Sequence, residues 1–374
     1  MIWASSIAAG SRKLKLLRRK IRGKILARSL KKTPCRFNSA SGIQIIGNAG
    51  VTNGLGRAYR YELARLASNG DDAQCRPAEA KQNFLILGQP KDYHRLLAQP
   101  PLGFREGYRI GYLVTEFETA PQGWEFIFDI VHEIWTPSAF CANAIAQATG
   151  IPVKVVPYPV SIQDVPPLPR RRFDIDGRQF LGMAIMDLSS CPERKNPLAH
   201  VKAWKLAFGN DPTAHLIMKV RFNKYTQFAR KELIEAVGGA QNIRLVEEVF
   251  DDASMCAFQR MADVYLSLHR AEGYGLNIHE MLEIGTPVIA TGWSGNMDFM
   301  LRYPHAIAVP FKLVPYSDPT FQYQGEGLYW AEADIEATAS ALRSLKKCWD
   351  AARGCTGRRM GIAPVAAAAY VAAA

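Results

Sequence analysis

The 374-residue sequence contains no run of about 18 uninterrupted apolar residues, which disfavours a transmembrane helix. Its seven cysteines, Cys35, Cys75, Cys141, Cys191, Cys256, Cys348 and Cys355, are odd in number and scattered, and none forms a C-x-x-C pair. That pattern argues against structural zinc and a disulfide framework, and for a reducing, cytoplasmic compartment. There is no clean G-x-G-x-x-G, so a nicotinamide dinucleotide site is disfavoured. A secretory signal is disfavoured too, because the weakly apolar stretch from Ile2 to Gly10 precedes the positive charges instead of following them. No internal repeat is visible.

Acidic residues are missing from the first forty positions. Arg12, Lys13, Lys15, Arg18, Arg19, Lys20, Arg22, Lys24, Arg28, Lys31, Lys32 and Arg36 stand there without a single Asp or Glu. Removing those twelve from the 46 basic residues leaves 34 against 34 acidic ones, so the net charge of +12 belongs to this segment and the body is neutral. Leu14, Leu17, Ile21 and Ile25 recur at three- and four-residue steps, which predicts an amphipathic helix with a cationic face. An anionic membrane surface met through residues 12–32 is the expected partner. A disordered basic arm, a nucleic-acid arm and an organelle transit peptide are rival readings of the segment, and nucleic acid is not expected.

Length and a 48% hydrophobic content fit two domains. The expected division is a basic tail over 1–40, a Rossmann-like domain over 41–160, a second over 161–350, and a low-complexity tail over 351–374, with Pro157 to Arg172 as linker. Strands are expected at 42–47, 84–87, 109–114, 133–136 and 153–156, then at 179–185, 215–220, 243–246, 264–268, 287–291 and 306–309. The last helix is expected from Ile335 to about Trp349. Loops at the carboxyl ends of parallel strands are where such sheets bind ligands. Gly54 and Gly56, in the turn after the first strand, and Glu116 and Glu118, after the third, are therefore ligand-site candidates, together with His132 as a proton-transfer aid.

The most informative stretch runs from Arg270 to Glu280. A buried strand ends near Leu268, Gly273 and Gly275 permit a sharp turn, and a helix begins near Leu276 with its unpaired N–H groups turned toward an anion. Glu272 in the loop suits hexose hydroxyls, while Glu280, about one turn inside the helix, suits the far end of the same ligand. Upstream, Arg194 and Lys195 sit at another strand-to-helix turn, and Lys219 ends a further strand.

These elements resemble the retaining GT-B glycosyltransferases of the large E-x7-E family, which includes bacterial lipopolysaccharide and polysaccharide sugar transferases. The resemblance rests on Glu272 to Glu280, Arg194-Lys195-Asn196-Pro197, the strand Gly285-Thr286-Pro287-Val288-Ile289-Ala290-Thr291, and Asn53-Gly54-Leu55-Gly56, and it covers roughly residues 43–345. It implies an α/β, GT-B fold of two Rossmann-like domains facing across a cleft. It also implies transfer of a hexose, with retention, from a nucleotide-diphosphate sugar to a glycan or lipid-linked acceptor. Glu272, Arg194 and Lys195 would then be catalytic, with the two cations neutralising the diphosphate. Glu280 would contact the ribose, and Gly273, Tyr274, Gly275, Leu276, Asn277 and Lys219 would complete the donor site. No metal and no cofactor are expected.

One departure is that many relatives carry an arginine directly after the first donor-domain strand, where this chain has Met186-Asp187. The rival GT-A reading has only Asp174-Ile175-Asp176 for its metal, more simply a surface turn. Two more rivals are a noncatalytic basic binding protein with an inert α/β body, and a GT-B epimerase or hydrolase.

Overall fold

Short apolar strands alternating with helices assemble into two separate parallel sheets. A computed structural model describes residues 18, 20–39, 42–48, 50, 54–68, 82–189, 191–318 and 327–356. Residues 12–17, with Leu14 and Leu17, therefore lie outside the described residues, as do Asn53, Cys75 and the Ala-rich stretch 363–374. The chain divides into two compact units between Pro159 and Val160.

Unit 1 opens with a helix over residues 20–29 (α1). It continues through β1 (Ile43–Ile46), α2 (Gly54–Ser68), β2 (Asn83–Leu87), α3 (Tyr93–Leu96), β3 (Tyr108–Tyr112), α4 (Glu125–Phe128), β4 (Glu133–Thr136), α5 (Ala139–Ala146) and β5 (Val153–Val155). The five strands are all parallel and lie side by side in chain order. Every residue of β2 is buried, as expected of a strand covered on both faces.

The basic segment differs from its expected form. Residues 20–38 are fastened to unit 1. The helix docks through Gly23, Ala27 and Leu30, with Leu26 partly buried beside them, whereas Ile21 and Ile25 are 48% and 61% exposed. Small residues explain the choice of face, because a Cβ at Gly23 would stand 2.6 Å from the Phe126 ring. Arg109 Nη1 donates to the Leu30 carbonyl at 2.6 Å, and Lys32 Nζ to those of Phe128 (2.7 Å) and Val131 (2.9 Å). Lys32 is thus engaged with backbone, and its burial lowers its pKa.

Unit 2 holds β6 (Phe180–Asp187), α6 (Pro192–Lys195), α7 (Pro197–Phe208), β7 (Ala214–Arg221), α8 (Gln227–Val237), β8 (Ile243–Val246), α9 (Asp252–Gln259) and β9 (Val264–Ser267). It closes with α10 (Leu276–Ile284), β10 (Val288–Thr291), α11 (Met297–Met300), β11 (Ala306–Val309), β12 (Phe311–Pro315), β13 (Tyr329–Ala333) and α12 (Ile335–Thr356). Six parallel strands are ordered β11-β10-β9-β6-β7-β8, the doubly wound arrangement in which the direction of strand addition reverses between β6 and β9.

Under α7 the sheet carries Gly182, where a Cβ would overlap the ring of the fully buried Trp204. Phe180, Phe208 and Trp349 complete that aromatic cluster. The end of the expected linker segment is rooted in this unit by Arg170, buried against Asp263 at 2.7 Å. The antiparallel pair β12–β13 is absent from the sequence reading. The final helix runs beyond Trp349, and Arg353 donates to the Gly177 carbonyl at 2.8 Å. Among the described residues no helix is long and apolar enough to cross a membrane.

Candidate active site

The crevice at a reversal of strand order is open because the loops leaving the two central strands diverge there. In unit 2 those loops follow β6 and β9. After β6, α6 ends at Asn196, whose left-handed backbone (φ 50°) turns the chain straight into α7. That turn leaves Arg194 and Lys195 facing the loop after β9, and the two loops are tied where the Arg270 N–H donates to the Arg194 carbonyl at 2.7 Å.

Three expected residues converge here. Lys195 Nζ pairs with Glu272 Oε1, and Arg194 Nη1 lies 3.4 Å from Glu272 Oε2 while donating to the Ala271 carbonyl at 2.9 Å. The Glu272 side chain is 15% exposed. Burial alone would push its pKa up, but Lys195 and then Arg194 outweigh burial and hold it at about 2. Glu272 is therefore ionised at neutral pH between its two cationic partners.

A third loop, after β10, fixes the backbone of Glu272. Its N–H donates to Ser294 Oγ at 2.9 Å, and the Gly295 N–H donates to the Glu272 carbonyl at 2.8 Å. Ser294 is a non-glycine residue at φ 77°, a left-handed conformation that costs on the order of 1 kcal/mol or more and persists where the surroundings over-determine it. Beneath lies His269, 1% exposed, whose Nε2–H donates to Asn296 Oδ1 at 3.0 Å and whose Nδ1 accepts from Ser267 Oγ at 3.0 Å. His200 is equally buried. Its Nδ1–H donates to the Asn196 carbonyl at 2.9 Å, and its Nε2 accepts the Leu268 N–H at 3.0 Å. Neither histidine entered the sequence reading.

Gly275 starts α10 at φ 94°, where a side chain would be strained, and the helix ladder begins with the His279 N–H donating to the Gly275 carbonyl. The amides of Leu276, Asn277 and Ile278 precede that ladder, which gives the turn an anion-directed helix end. Asn277 Nδ2 reaches the Ile185 carbonyl of β6 at 3.4 Å, so this end sits over the reversal point. Glu280 is 2% exposed and accepts from Gln259 Nε2 at 2.7 Å. Gly273 and Tyr274 are buried, and the Tyr274 hydroxyl is hydrogen-bonded to His279 Nδ1 at 2.8 Å. Lys219 lies near the end of β7, over the Phe250 ring at 5.4 Å.

The hairpin supplies a support invisible in the motif. Glu332 of β13 accepts from Arg270 Nε at 2.5 Å and from Asn196 Nδ2 at 3.1 Å, bracing both loops.

The other expected residues belong to unit 1. Gly54 and Gly56 open α2, and Glu116 (half-buried) and Glu118 (exposed) lie in the loop at the carboxyl end of β3. His132 does not join them. It precedes β4, at the amino edge of the sheet, where its Nδ1 accepts the Arg109 N–H at 3.0 Å and its Nε2–H donates to the Thr33 carbonyl at 2.8 Å. Both ring nitrogens are engaged with backbone, which makes it a fastening for the segment after α1.

Asp174 and Asp176 are neutralised by Arg244 (2.8 Å) and Arg178 (3.2 Å) in an exposed turn. Among the described residues, Cys191, Glu193 and Asp318 place their ligand atoms within 4.8 Å of one another. Burial, with Asp318 adding to it, pushes Glu193 up to about 7.

No protein-family model and no curated protein sequence matches the chain. Solved structures do match. Alr3699/HepE of Anabaena, crystallised with UDP and glucose, superposes with a TM-score of 0.54 at 13% identity over 87% of this chain and 79% of its own. Sucrose-phosphate synthase of Thermosynechococcus elongatus gives 0.53 at 12% identity over 78% and 69%. Staphylococcus aureus TarM, crystallised with UDP, gives 0.51 at 12% identity over 78% of this chain, which spans half of the TarM chain. The fold is thus the expected GT-B class of two Rossmann-like domains.

Proposed function

We propose that the protein is a glycosyltransferase that moves a hexose from a nucleotide-diphosphate sugar to a glycan or lipid-linked acceptor, with retention of anomeric configuration and without a metal. The reading also has the basic segment over residues 12–32 meeting an anionic membrane, as suits a role in cell-surface polysaccharide synthesis. The observation that carries the catalytic part is the convergence of Arg194, Lys195 and Glu272 at the strand-order reversal, beside the α10 N-terminus. A diphosphate needs fixed cations and backbone donors, and a sugar needs a hydroxyl acceptor that stays ionised.

In this reading the anomeric C–O bond to the diphosphate breaks while the bond from the acceptor oxygen forms on the same face. The acceptor proton passes to a departing phosphate oxygen, so no strong protein base is required. Arg194, Lys195 and the α10 amides stabilise charge as it develops on the leaving diphosphate, and Glu272 orients the hexose. Glu280 takes the ribose hydroxyls; Gly54, Gly56, Glu116 and Glu118 are assigned to the acceptor side.

Radiolabel transfer from UDP-, GDP- and ADP-sugars tests the reading. One donor is expected to support transfer that survives EDTA and that Glu272→Ala lowers by roughly two to three orders of magnitude, the scale of a lost transition-state contact. Full activity in Glu272→Ala would refute the assignment.

A further inference from the structure

The helix α1 is used on one side only. At 100° per residue, Ile21 and Ile25 stand about 170° around the axis from the docked set Gly23, Ala27 and Leu30. They point away from unit 1, which is why they remain 48% and 61% exposed while Ala27 and Leu30 are 7% and 3%. Lys24 and Arg28 line one flank of this isoleucine ridge and Arg18 and Arg22 the other, and all four are exposed. No acidic residue occurs in positions 1–40. Backbone carbonyls of residues 29, 30 and 33 are held by Arg105, Arg109 and His132, so the helix is presented on a rigid support.

We infer that this outward face is a membrane-docking surface: Ile21 and Ile25 enter the acyl boundary of an anionic bilayer while Arg18, Arg22, Lys24 and Arg28 engage lipid headgroups. An exposed apolar ridge bordered on both sides by cations fits a surface that is apolar a few ångströms below a layer of negative charge. A nucleic-acid groove would use the cations but offers two isoleucines little burial. The docking surface lies on the stripe that the sequence periodicity marks, and the opposite face of the helix is committed to unit 1. Insertion depth and orientation are thereby transmitted to the folded unit.

The inference rests on the membrane part of the reading above, and its test uses no sugar donor, so failure here leaves transfer chemistry separately testable. Full-length protein is floated with vesicles of equimolar phosphatidylglycerol and phosphatidylcholine, and with phosphatidylcholine alone. Binding is expected to the anionic vesicles and to weaken with salt. Ile21→Ser with Ile25→Ser keeps every charge and is expected to bind at least about tenfold more weakly with an unchanged melting temperature. Lys24→Gln with Arg28→Gln is expected to lose about fivefold per cation. Equal binding by the double serine variant, no preference for anionic vesicles, or RNA binding without vesicle binding would overturn the inference.

Discussion

Lowering the pH from 7 to 5 puts His200 and His269 to a quantitative test. Each is 1% exposed and each uses one ring nitrogen as an acceptor, from the Leu268 N–H and from Ser267 Oγ, so protonation would bury a charge at both and, at His200, set two donors against each other. Burial lowers both pKa values from 6.5 to about 4. The folded pKa is depressed, so between pH 6.5 and 4 the unfolded chain binds protons that the folded chain refuses. Stability is full above 6.5 and falls as the pH drops through that window. At pH 5 the loss is about 2 kcal/mol per histidine, on the order of 4 kcal/mol for the two, a large fraction of a typical domain's stability. Glu272, held at about 2, does not titrate there. Urea denaturation of unit 2, followed by tryptophan fluorescence at pH 7, 6 and 5, reads the loss, and proton NMR should show two imidazoles that do not titrate above pH 5. A flat stability profile, or all seven imidazoles titrating near 6.5, would refute the reasoning. Because Leu268 leads into the loop that carries Glu272, the proposed transferase activity is expected to fall over the same acid window.

Two further outcomes follow from packing and hydrogen bonding. Gly182→Ala drives a methyl group into the immobile Trp204 ring and should cost about 1–3 kcal/mol, measurable as a lowered melting temperature with the fold retained. Glu280→Ala removes a buried carboxylate that accepts from Gln259, and calorimetry with nucleoside diphosphates should show roughly ten- to a hundredfold weaker binding, with transfer at saturating donor much less affected. A variant that binds nucleotide normally but transfers nothing would reverse the roles given to Glu272 and Glu280.

The eleven parallel strands were legible because they are short, largely apolar runs, several of them closed by Gly, Pro, Asp or Thr (Gly47, Gly88, Pro137, Asp187, Gly292, Pro310), and the expected spans fall within one to two residues of those observed. The order of those strands was legible only as an alternation; the reversal between β6 and β9 is a tertiary fact. Lys195 and Glu272 are 77 residues apart, and their meeting depends on the left-handed turn at Asn196 and on Glu332, neither of which carries a local pattern. Periodicity marked Ile21 and Ile25 as the apolar face of α1, yet packing chose Gly23 and Ala27. Close approach to Phe126 rewards a missing side chain, and hydrophobic periodicity has no symbol for that. His132 stands just before β4 in sequence and in the fold; what the sequence could not show is that both its ring nitrogens are taken by the Arg109 N–H and the Thr33 carbonyl.

The salt-bridged trio of Arg194, Lys195 and Glu272 also governs how the site waits. A buried Arg194 and a half-buried Lys195 side by side would repel each other and invite their loops to loosen, but the carboxylate acts as a resident counter-ion that keeps both side chains aimed and ordered before any guest arrives. An incoming anion then meets a seat already shaped, carrying a residual charge of about plus one rather than plus two. Such a seat grips less tightly than bare cations would, and lets a spent anion leave more readily.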